Sequence, residues 1–579
     1  MEEQLWKAYR DGRVEEVINL LQNPQLNINW QDDALNRLFM TACWNGHIEI
    51  MKLLLNDQRV DINKTNKFTF PPLWIACKNG HIDIVKLLLN DERVDINKAD
   101  NDGETPFWIA CSAGQIEIVR LLLNDNNRTD VNKPDNDGET PFYIACQEGQ
   151  IEIVRLLLND ERVDINKVNR SDETPFWIAC YNGHTKIVEL LLNDERIDIN
   201  KAMNDGKTSF YIACQQGHIE IVKLLLNDQR VDIKKAKWKG ESPLLIACKK
   251  GHIDIVKLLL NDKRIDINKA DNGETAFYIA CENGHIEIVK LLLNDQRVDI
   301  NQANKNDATP FYIACQEGHI EIVKLLLNDQ RVDINKAQIE GATPFYIVCQ
   351  EGHIEIVKLL LNDERVDINK AKNDGVTPFF IACGKGHIEI VKLLLNDQRI
   401  DINQASANGE TPLLIACEKG HIEIVKLLLN NQRVDINKAN RFGETPFGIA
   451  CFKQHTGVVK LLLNDQRLDV NRAEKYNRTP FSVACHYGYI EIVKYLLACR
   501  REIDINKKDG DGKTGLDIAR EKGNEEKKEW ESEEDFENMK RNCLKIVELI
   551  ESFERNQNET RIKLRIELGL AGKFNLFSF

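Results

Sequence analysis

The chain has 579 residues and a formal net charge of −14, with 42% hydrophobic and 29% charged residues. The acidic balance argues against a general nucleic-acid or anionic-membrane surface, and no apolar run approaches the roughly 18 residues of a membrane span. The first residues, Met1 to Gln4, lack the basic and apolar segments of a secretory signal. These features predict a soluble, cytoplasmic protein.

A single sequence unit recurs along most of the chain, and one copy runs from Gly103 to Leu123. Self-similarity at a fixed period of this size is the signature of stacked repeats. A cysteine marks the same position at a mean spacing of 34 residues in fourteen units, at Cys43, Cys77, Cys111, Cys146, Cys180, Cys214, Cys248, Cys281, Cys315, Cys349, Cys383, Cys417, Cys451 and Cys485.

The first unit, residues 1–34, keeps this register but is atypical. Tyr9 precedes Cys43 by 34 residues, so it takes the place of the cysteine. Its early residues are charged, as expected of a terminal repeat that faces water on one side. We therefore predict an N-terminal capping repeat.

Each regular unit predicts two helices and a polar finger. Thr105 suits an N-cap, Pro106 suits the first helical position, and Gly114 suits a left-handed exit, which predicts a first helix of roughly nine residues. The second helix, as in Ile82 to Leu89, is apolar over most of its circumference and must be covered on more than one side. One pair of helices cannot bury its own faces, so the core forms between neighbouring units.

The motifs Gly-x-Thr-Pro-Phe, Ala-Cys-x-x-Gly-His and Val-Lys-Leu-Leu-Leu followed by Val-Asp-Ile-Asn resemble the ankyrin repeat, from near the start to about residue 524. The resemblance implies a mainly α fold, an ankyrin-type solenoid of stacked helix-turn-helix units with β-hairpin-like fingers, with tandem repeats over residues 35–506. Trp108 stands where the family usually has histidine, and Cys111 replaces an alanine. Asn90 to Arg93 replace a shorter glycine turn, which leaves the shape of the outer loop open.

The end of the chain is irregular. We predict a degenerate repeat over residues 507–553, with an acidic insert from Glu525 to Asp535 and a second helix that resumes near Cys543. Residues 554–579 form a tail of unknown fold, in which the segment from Thr560 to Leu570 fits either a strand or a helix. The terminal aromatic residues either pack on the last repeat or dock elsewhere.

The cysteines and histidines look at first like chemical sites. Equivalent cysteines of stacked helices lie roughly 8–10 Å apart, beyond disulfide reach, so we predict reduced, buried thiols. Cys43 and His47 repeat as Cys-x-x-x-His, but glutamine replaces the histidine at Gln115 and Gln150. A structural zinc site needs four ligands and each unit supplies two, so we predict a hydrogen-bonding role and no metal. No catalytic or phosphate-binding motif occurs, which predicts a protein without cofactor or enzyme activity.

Two sets of positions vary while the rest of the unit stays fixed, namely the residues that flank the finger glycine and the pair after each cysteine. In proteins that the unit resembles, these positions line a concave groove that binds partners. Large exposed aromatic residues suit binding hot spots, although each of them could instead lean on its own loop. The candidates are Trp44, Phe68, Phe70, Tyr181, Trp238, Phe442, Phe452, Tyr476, His486 and Tyr487.

One unit is basic at both sets of variable positions. Its finger carries Lys237, Trp238 and Lys239, and Lys249 and Lys250 follow its cysteine. One hypothesis is that this patch contacts an acidic segment of a partner protein. The alternative is a cluster of solvated lysines.

The leading functional interpretation is a monomeric, non-enzymatic scaffold or adaptor that binds other proteins along the groove of the array. A second is the targeting or regulatory arm of a multi-component enzyme whose catalytic part lies on another chain. A third is an elastic linker of the cytoskeleton or membrane skeleton. Repeat arrays suit the first because the surface changes while the frame does not.

Overall fold

The computed structural model describes residues 2–30, 38–65, 70–125, 128–235, 237, 240–526 and 533–570. The described residues form 33 helices. In chain order these are α1 (Glu2–Arg10), α2 (Val14–Leu21), α3 (Leu38–Asn45), α4 (Ile48–Asn56), α5 (Pro72–Asn79), α6 (Ile82–Leu89), α7 (Pro106–Ser112), α8 (Ile116–Leu123), α9 (Pro141–Gln147), α10 (Ile151–Leu158), α11 (Pro175–Asn182), α12 (Thr185–Leu192), α13 (Ser209–Gln216), α14 (Ile219–Asn227), α15 (Pro243–Lys250), α16 (Ile253–Asn261), α17 (Ala276–Glu282), α18 (Ile286–Leu293), α19 (Pro310–Gln316), α20 (Ile320–Leu327), α21 (Pro344–Glu351), α22 (Ile354–Leu361), α23 (Pro378–Lys385), α24 (Ile388–Asn396), α25 (Pro412–Lys419), α26 (Ile422–Leu429), α27 (Pro446–Phe452), α28 (Thr456–Leu463), α29 (Pro480–His486), α30 (Ile490–Ala498), α31 (Gly515–Asn524), α32 (Glu533–Arg555) and α33 (Gln557–Glu567).

The chain divides into two compact units. The first comprises Met1–Ala280 with Glu287–Asp299, and the second comprises Cys281–Ile286 with Ile300–Phe579. Within the first unit, α5 packs on α7 and α4 on α6; within the second, α21 packs on α23 and α22 on α24. First helices therefore stack on first helices and second helices on second helices, which confirms the predicted mainly α, ankyrin-type solenoid class.

The predicted helix signals are confirmed at the first helix of the repeat. The Thr105 hydroxyl accepts a hydrogen bond from the Trp108 backbone N–H at 3.1 Å, and Pro106 begins the helix. Thr105 is itself fully buried, so this capping bond satisfies a polar group inside the core. The helix α7 has seven residues rather than the nine expected, because it ends at Ser112, before Gly114 adopts a left-handed φ of 74°.

The histidines make the predicted hydrogen bonds, and those bonds link neighbouring repeats. His184 Nε2 lies 2.8 Å from the carbonyl oxygen of Gln147 in the preceding repeat. A Cβ atom on Gly149 would lie 2.8 Å from His184 Cε1, so the glycine leaves room for the imidazole. Where glutamine replaces histidine, the contact persists, because Gln150 Nε2 donates to the Ser112 carbonyl at 3.0 Å.

The fingers that the structure describes in full are tight turns rather than ladders of paired strands. In one finger, the Asp100 N–H donates to the Glu104 carbonyl at 3.1 Å and Gly103 carries a φ of 83°. Asp271 and Glu274 form an isolated antiparallel bridge in another. The tips of consecutive fingers are also joined, since the Asn136 N–H donates to the Asp102 carbonyl at 2.8 Å.

The asparagine of Val-Asp-Ile-Asn clamps the backbone of the following repeat. Asn166 Nδ2 donates to the Arg196 carbonyl at 2.8 Å, while its Oδ1 accepts from the Asp198 N–H at 2.9 Å. In the second unit Asn403 binds the Arg433 carbonyl at 2.7 Å and the Asp435 N–H at 2.9 Å. The recurring asparagine is therefore part of the frame.

The outer loop, whose shape the sequence left open, contains an ion pair and links each repeat to the preceding one. Arg196 pairs with Asp194 at 2.6 Å inside the loop and donates to the Leu158 carbonyl of the preceding repeat at 2.7 Å. The guanidinium thus satisfies a carbonyl at the end of a second helix, which has no partner within its own helix. The longer loop therefore serves to join one repeat to the next.

The cysteines are reduced and, in the repeats, buried as predicted; Cys499 alone is half-buried. Burial raises the pKa of the Cys315 thiol far above its usual value, which keeps it protonated and unreactive. None of the helices in the described part of the chain combines the length and the apolar character needed to cross a membrane.

The end of the chain is helical. The stretch near Cys543, predicted to be helical, lies in α32, and α31 packs against α32. The ambiguous segment around Thr560 forms α33, which buries Thr560 and Leu564, four residues apart. Residues 527–532 of the acidic insert and the terminal residues 571–579 lie outside the described part of the chain.

Candidate partner-binding surface

Four of the predicted aromatic residues come together in the second unit. Tyr476, Phe442 and Phe452 are exposed by 62%, 55% and 37%, and Tyr487 is half-buried beside them. We call Phe442, Phe452, Tyr476 and Tyr487, together with Arg478, the aromatic surface. Ring contacts and a shared cleft link Phe452, Tyr476, Tyr487 and Arg478, whereas Phe442 is linked through the backbone of its finger.

Tyr487 is the centre of the aromatic surface. Its ring meets the Phe452 ring edge-on, with centroids 5.3 Å apart, and stacks on Tyr489 at 5.6 Å. His486 lies edge-on to the same ring at 4.8 Å. Burial lowers the pKa of His486, so its imidazole is neutral at physiological pH and adds no charge to the cluster.

A cleft of about 180 Å³ opens between Phe452 and Tyr487. Gly448 lines this cleft, at the position where other repeats carry a large buried side chain such as Trp108 or Tyr143. Without that side chain the first helix leaves a gap beside the aromatic rings. The cleft therefore coincides with a large-to-small replacement at Gly448.

Arg478 connects the cleft to the exposed finger tips. Its guanidinium lies 5.5 Å from the centre of the Tyr476 ring and pairs with Glu474 at 2.6 Å. Arg478 lines the cleft together with Tyr487, and it also lines a second, shallower cleft beside Tyr476. The finger of Phe442 joins the same surface, because the Lys475 N–H donates to the Phe442 carbonyl at 2.8 Å.

The junction beneath the aromatic surface departs from the regular one. Gln454 stands in place of the usual glycine and keeps the left-handed backbone, with a φ of 61°. Tyr489 replaces the histidine that lies over that glycine in regular repeats. The pair of changes removes the close glycine–histidine contact and supplies the ring on which Tyr487 stacks.

A family model for ankyrin repeats (3 copies) matches the sequence in overlapping segments that together run from residue 5 to residue 509. The chain belongs to the ankyrin repeat family. Ankyrin repeats are a protein–protein interaction module, and the family fold is non-catalytic. A comparison with curated proteins finds no match. Since the family match ends at residue 509, α31, α32 and α33 lie beyond the matched part of the array.

Other predicted groove residues of this ankyrin array do not form a comparable cluster. Trp44 and Tyr181, exposed by 54% and 41%, lie in the first unit and in repeats that are not neighbours. Tyr181 stacks on Trp177 at 5.3 Å, and Phe70 stacks on Trp74 at 4.4 Å. Phe70 and Tyr181 thus lean on their own helices, whereas Phe452 and Tyr487 touch across repeats.

The predicted basic patch is partly neutralised. Lys237 lies 3.5 Å and Lys249 lies 3.9 Å from the carboxylate of Glu241, which also accepts a hydrogen bond from the Tyr211 hydroxyl at 2.6 Å. Lys250 is exposed. Three further predicted contacts, Phe68, Trp238 and Lys239, lie outside the described residues.

The described residues contain no group of three or more histidine, cysteine or acidic side chains placed to hold a metal ion. Sequence reasoning looked for large aromatic residues and therefore missed Arg478 of the aromatic surface and Gly448, which lines the cleft beside it. For Gly448, the signal was present in the sequence as the absence of a large residue after Pro446 and Phe447, at a position filled in most other units.

Proposed function

We propose that this ankyrin array is a non-enzymatic scaffold or adaptor, and that the aromatic surface is its main contact with a partner protein. Tyrosine and arginine are the residues from which interface hot spots are most often built. The observation that carries the proposal is the exposure of Phe442, Phe452 and Tyr476 in neighbouring repeats. Phe452 and Arg478 line one cleft, and Tyr476 and Arg478 line a second.

The contacts within the aromatic surface indicate which chemical groups of a partner it would bind. Phe442 and Tyr476 project from consecutive finger tips, so an apolar side chain of the partner can pack between them. The cleft beside Gly448 receives a second apolar group, and Arg478 keeps donors for a carbonyl or carboxylate. The fingers are fixed by backbone bonds, so binding requires little ordering of the site.

The experiment compares, in the full chain, a triple alanine variant of the aromatic surface with a double alanine variant of exposed aromatic residues in the first unit. Partners are captured from cells that express the protein, and affinity for each is then measured by calorimetry. We expect Phe442→Ala with Tyr476→Ala and Tyr487→Ala to weaken the main partner by about 100-fold, which corresponds to about 2.7 kcal/mol.

The control is Trp44→Ala with Tyr181→Ala, which removes two exposed aromatic residues of the first unit. The control should keep affinity within about threefold. The proposal is wrong if the control loses as much affinity as the triple variant, or if the triple variant binds normally while its circular dichroism spectrum is unchanged.

A further inference from the structure

The second unit holds another cleft, which shares no lining residue with the aromatic surface. It has a volume of about 870 Å³ and lies where α33 packs against the end of α30. Four cations line it, Lys460, Arg500, Arg501 and Arg565, and no aspartate or glutamate is among its described lining residues. We call these four residues and the space between them the cationic cleft.

Lys460 has lost the acidic neighbour that the equivalent lysines keep. In regular repeats this lysine pairs with a glutamate three residues earlier, as Lys358 does with Glu355 at 2.6 Å. Gly457 stands at that position before Lys460. The Lys460 ammonium lies instead 4.4 Å from the centre of the Tyr495 ring, which also lines the cleft. A cation–π contact holds the ammonium there without cancelling its charge.

Arg501 has lost its acidic neighbour as well. In regular repeats the equivalent arginine pairs with an aspartate two residues earlier, as Arg399 does with Asp397 at 2.6 Å. Cys499 replaces that aspartate. The Arg501 guanidinium donates to backbone carbonyls instead, including that of Leu468 at 3.0 Å. Arg501 therefore lacks the ion pair that its equivalents make inside the outer loop, although its charge contributes to lowering the pKa of Asp465 in the preceding repeat.

The remaining two cations are additions rather than losses. Arg500 stands where the preceding repeat carries Gln466, and it is exposed. Arg565 belongs to α33, beyond the matched repeats, and donates to the Ala498 carbonyl at 3.4 Å. Glu567, also in α33, pairs with Lys494 of α30 at 2.7 Å. This ion pair fastens α33 to α30, so α33 forms a fixed wall of the cleft.

We propose that the cationic cleft binds an acidic segment of a partner protein. Two lost carboxylates and two added arginines all raise the positive charge at one place in a chain whose net charge is −14. Clusters of arginine and lysine recognise acidic motifs through charge-assisted hydrogen bonds. The cleft volume lies within the range of sites that enclose several chemical groups, about 300–1,000 Å³, so it exceeds the need of a single inorganic anion.

The proposal rests on the proposed function in that its ligand is a protein segment, but its test uses no cellular partner. The probe is a fluorescein-labelled synthetic peptide of about ten residues rich in glutamate, titrated with the full chain and followed by anisotropy. We expect saturable binding that weakens as sodium chloride rises from about 0.05 to about 0.5 M, because salt screens exposed charges.

The variant and its control are matched in geometry. Lys460→Glu with Arg500→Glu reverses the two exposed cations of the cleft, and we expect it to weaken the peptide at least about tenfold. Lys392→Glu with Gln432→Glu places glutamates at the equivalent positions two repeats earlier, also forty residues apart, and should alter affinity less than about twofold. Lys460→Gln with Arg500→Gln serves as a second variant should charge reversal disturb the fold, and we expect it to lose about half as much binding free energy.

Four results would overturn the proposal. They are no binding to the full chain, equal binding of a peptide in which glutamine replaces glutamate, complete displacement by millimolar inorganic phosphate, or tighter binding of a uridine oligonucleotide at the same cations. If the triple variant of the aromatic surface loses its partner yet binds the peptide normally, the two sites act separately. If the proposal for the aromatic surface proves wrong, the peptide result for the cationic cleft still stands.

Discussion

One finger of the first unit and one finger of the second have the same backbone hydrogen bonds but different side chains at their tips. In the finger of the first unit, the Asp100 N–H donates to the Glu104 carbonyl at 3.1 Å; in the finger of the second unit, the Asn440 N–H donates to the Glu444 carbonyl at 3.0 Å. The tip residues Asp102 and Phe442 occupy equivalent places, and the carbonyl of each accepts a bond of 2.8 Å from the next finger.

The side chains at the tips of these two fingers can differ, because the contacts that join the repeats do not involve them. Around Asp102, burial and the neighbouring Asp100 raise the pKa of Glu104 to about 7. Around Phe442, the equivalent surface carries exposed rings and Arg478. The comparison shows that the frame is held by backbone groups, caps and clamps, so that the tips are free to become acidic in one unit and aromatic in the other.

The largest expected effect comes from breaking the frame that both fingers share. We expect Gly420→Ala to destabilise its repeats by about 2–4 kcal/mol, because φ is 76° and the new Cβ would lie 2.7 Å from His455. Gly512→Ala is the control, since its φ is 77° but nothing described lies within 4 Å of the added Cβ. The control should lose about 1 kcal/mol.

Stability in this test is measured by denaturant unfolding, with hydrogen exchange to locate the repeats that open, because an array of this length need not unfold in one step. Equal losses for the two variants would show that the left-handed backbone alone accounts for the loss of stability, and that the contact with His455 adds nothing.

An intermediate effect is expected from exchanging the two tips. Phe442→Asp should weaken the main partner by about tenfold while changing the free energy of unfolding by less than about 0.5 kcal/mol. The matched change, Asp102→Phe, should leave both affinity and stability nearly unchanged. A loss of stability in Phe442→Asp as large as the loss of affinity would mean that the ring belongs to the frame.

The smallest expected effect concerns the acidic fingers and pH. Burial, with the charge of Asp100 or Asp135, raises the pKa of Glu104 and of Glu139 from 4.5 to about 7. The unfolded chain releases these protons at lower pH than the folded chain, so their contribution to stability falls as pH rises from about 4.5 to about 7.

Glu104→Gln with Glu139→Gln should therefore raise the free energy of unfolding at pH 8 by about 0.5–1 kcal/mol, after allowance for solvent screening of these half-buried groups. The gain should become small near pH 4, where these two glutamate side chains are mostly protonated in both the folded and the unfolded wild-type chain. Melting curves across this pH range check the expectation, and a gain that is independent of pH would contradict the assigned cause.

Much of the fold was predictable because its signals are local. Thr105, Pro106 and Gly114 lie within ten residues of one another and act within one helix and its exit. The binding site was only partly predictable. Phe442, Phe452, Tyr476 and Tyr487 were identified as variable aromatic residues, but no local rule distinguished them from Tyr181, which leans on its own Trp177.

The sequence by itself determined the period, the helix caps, the buried cysteines and the bonding role of the histidines, because each follows from a pattern within one unit or between identical neighbours. Only the tertiary structure decided that Lys237 and Lys249 share Glu241, and that Arg196 reaches a carbonyl thirty-eight residues earlier. It also decided that Arg565 faces the same cleft as Lys460. Such contacts depend on how far side chains of different length reach between stacked units, and that distance cannot be inferred from the sequence of a single repeat.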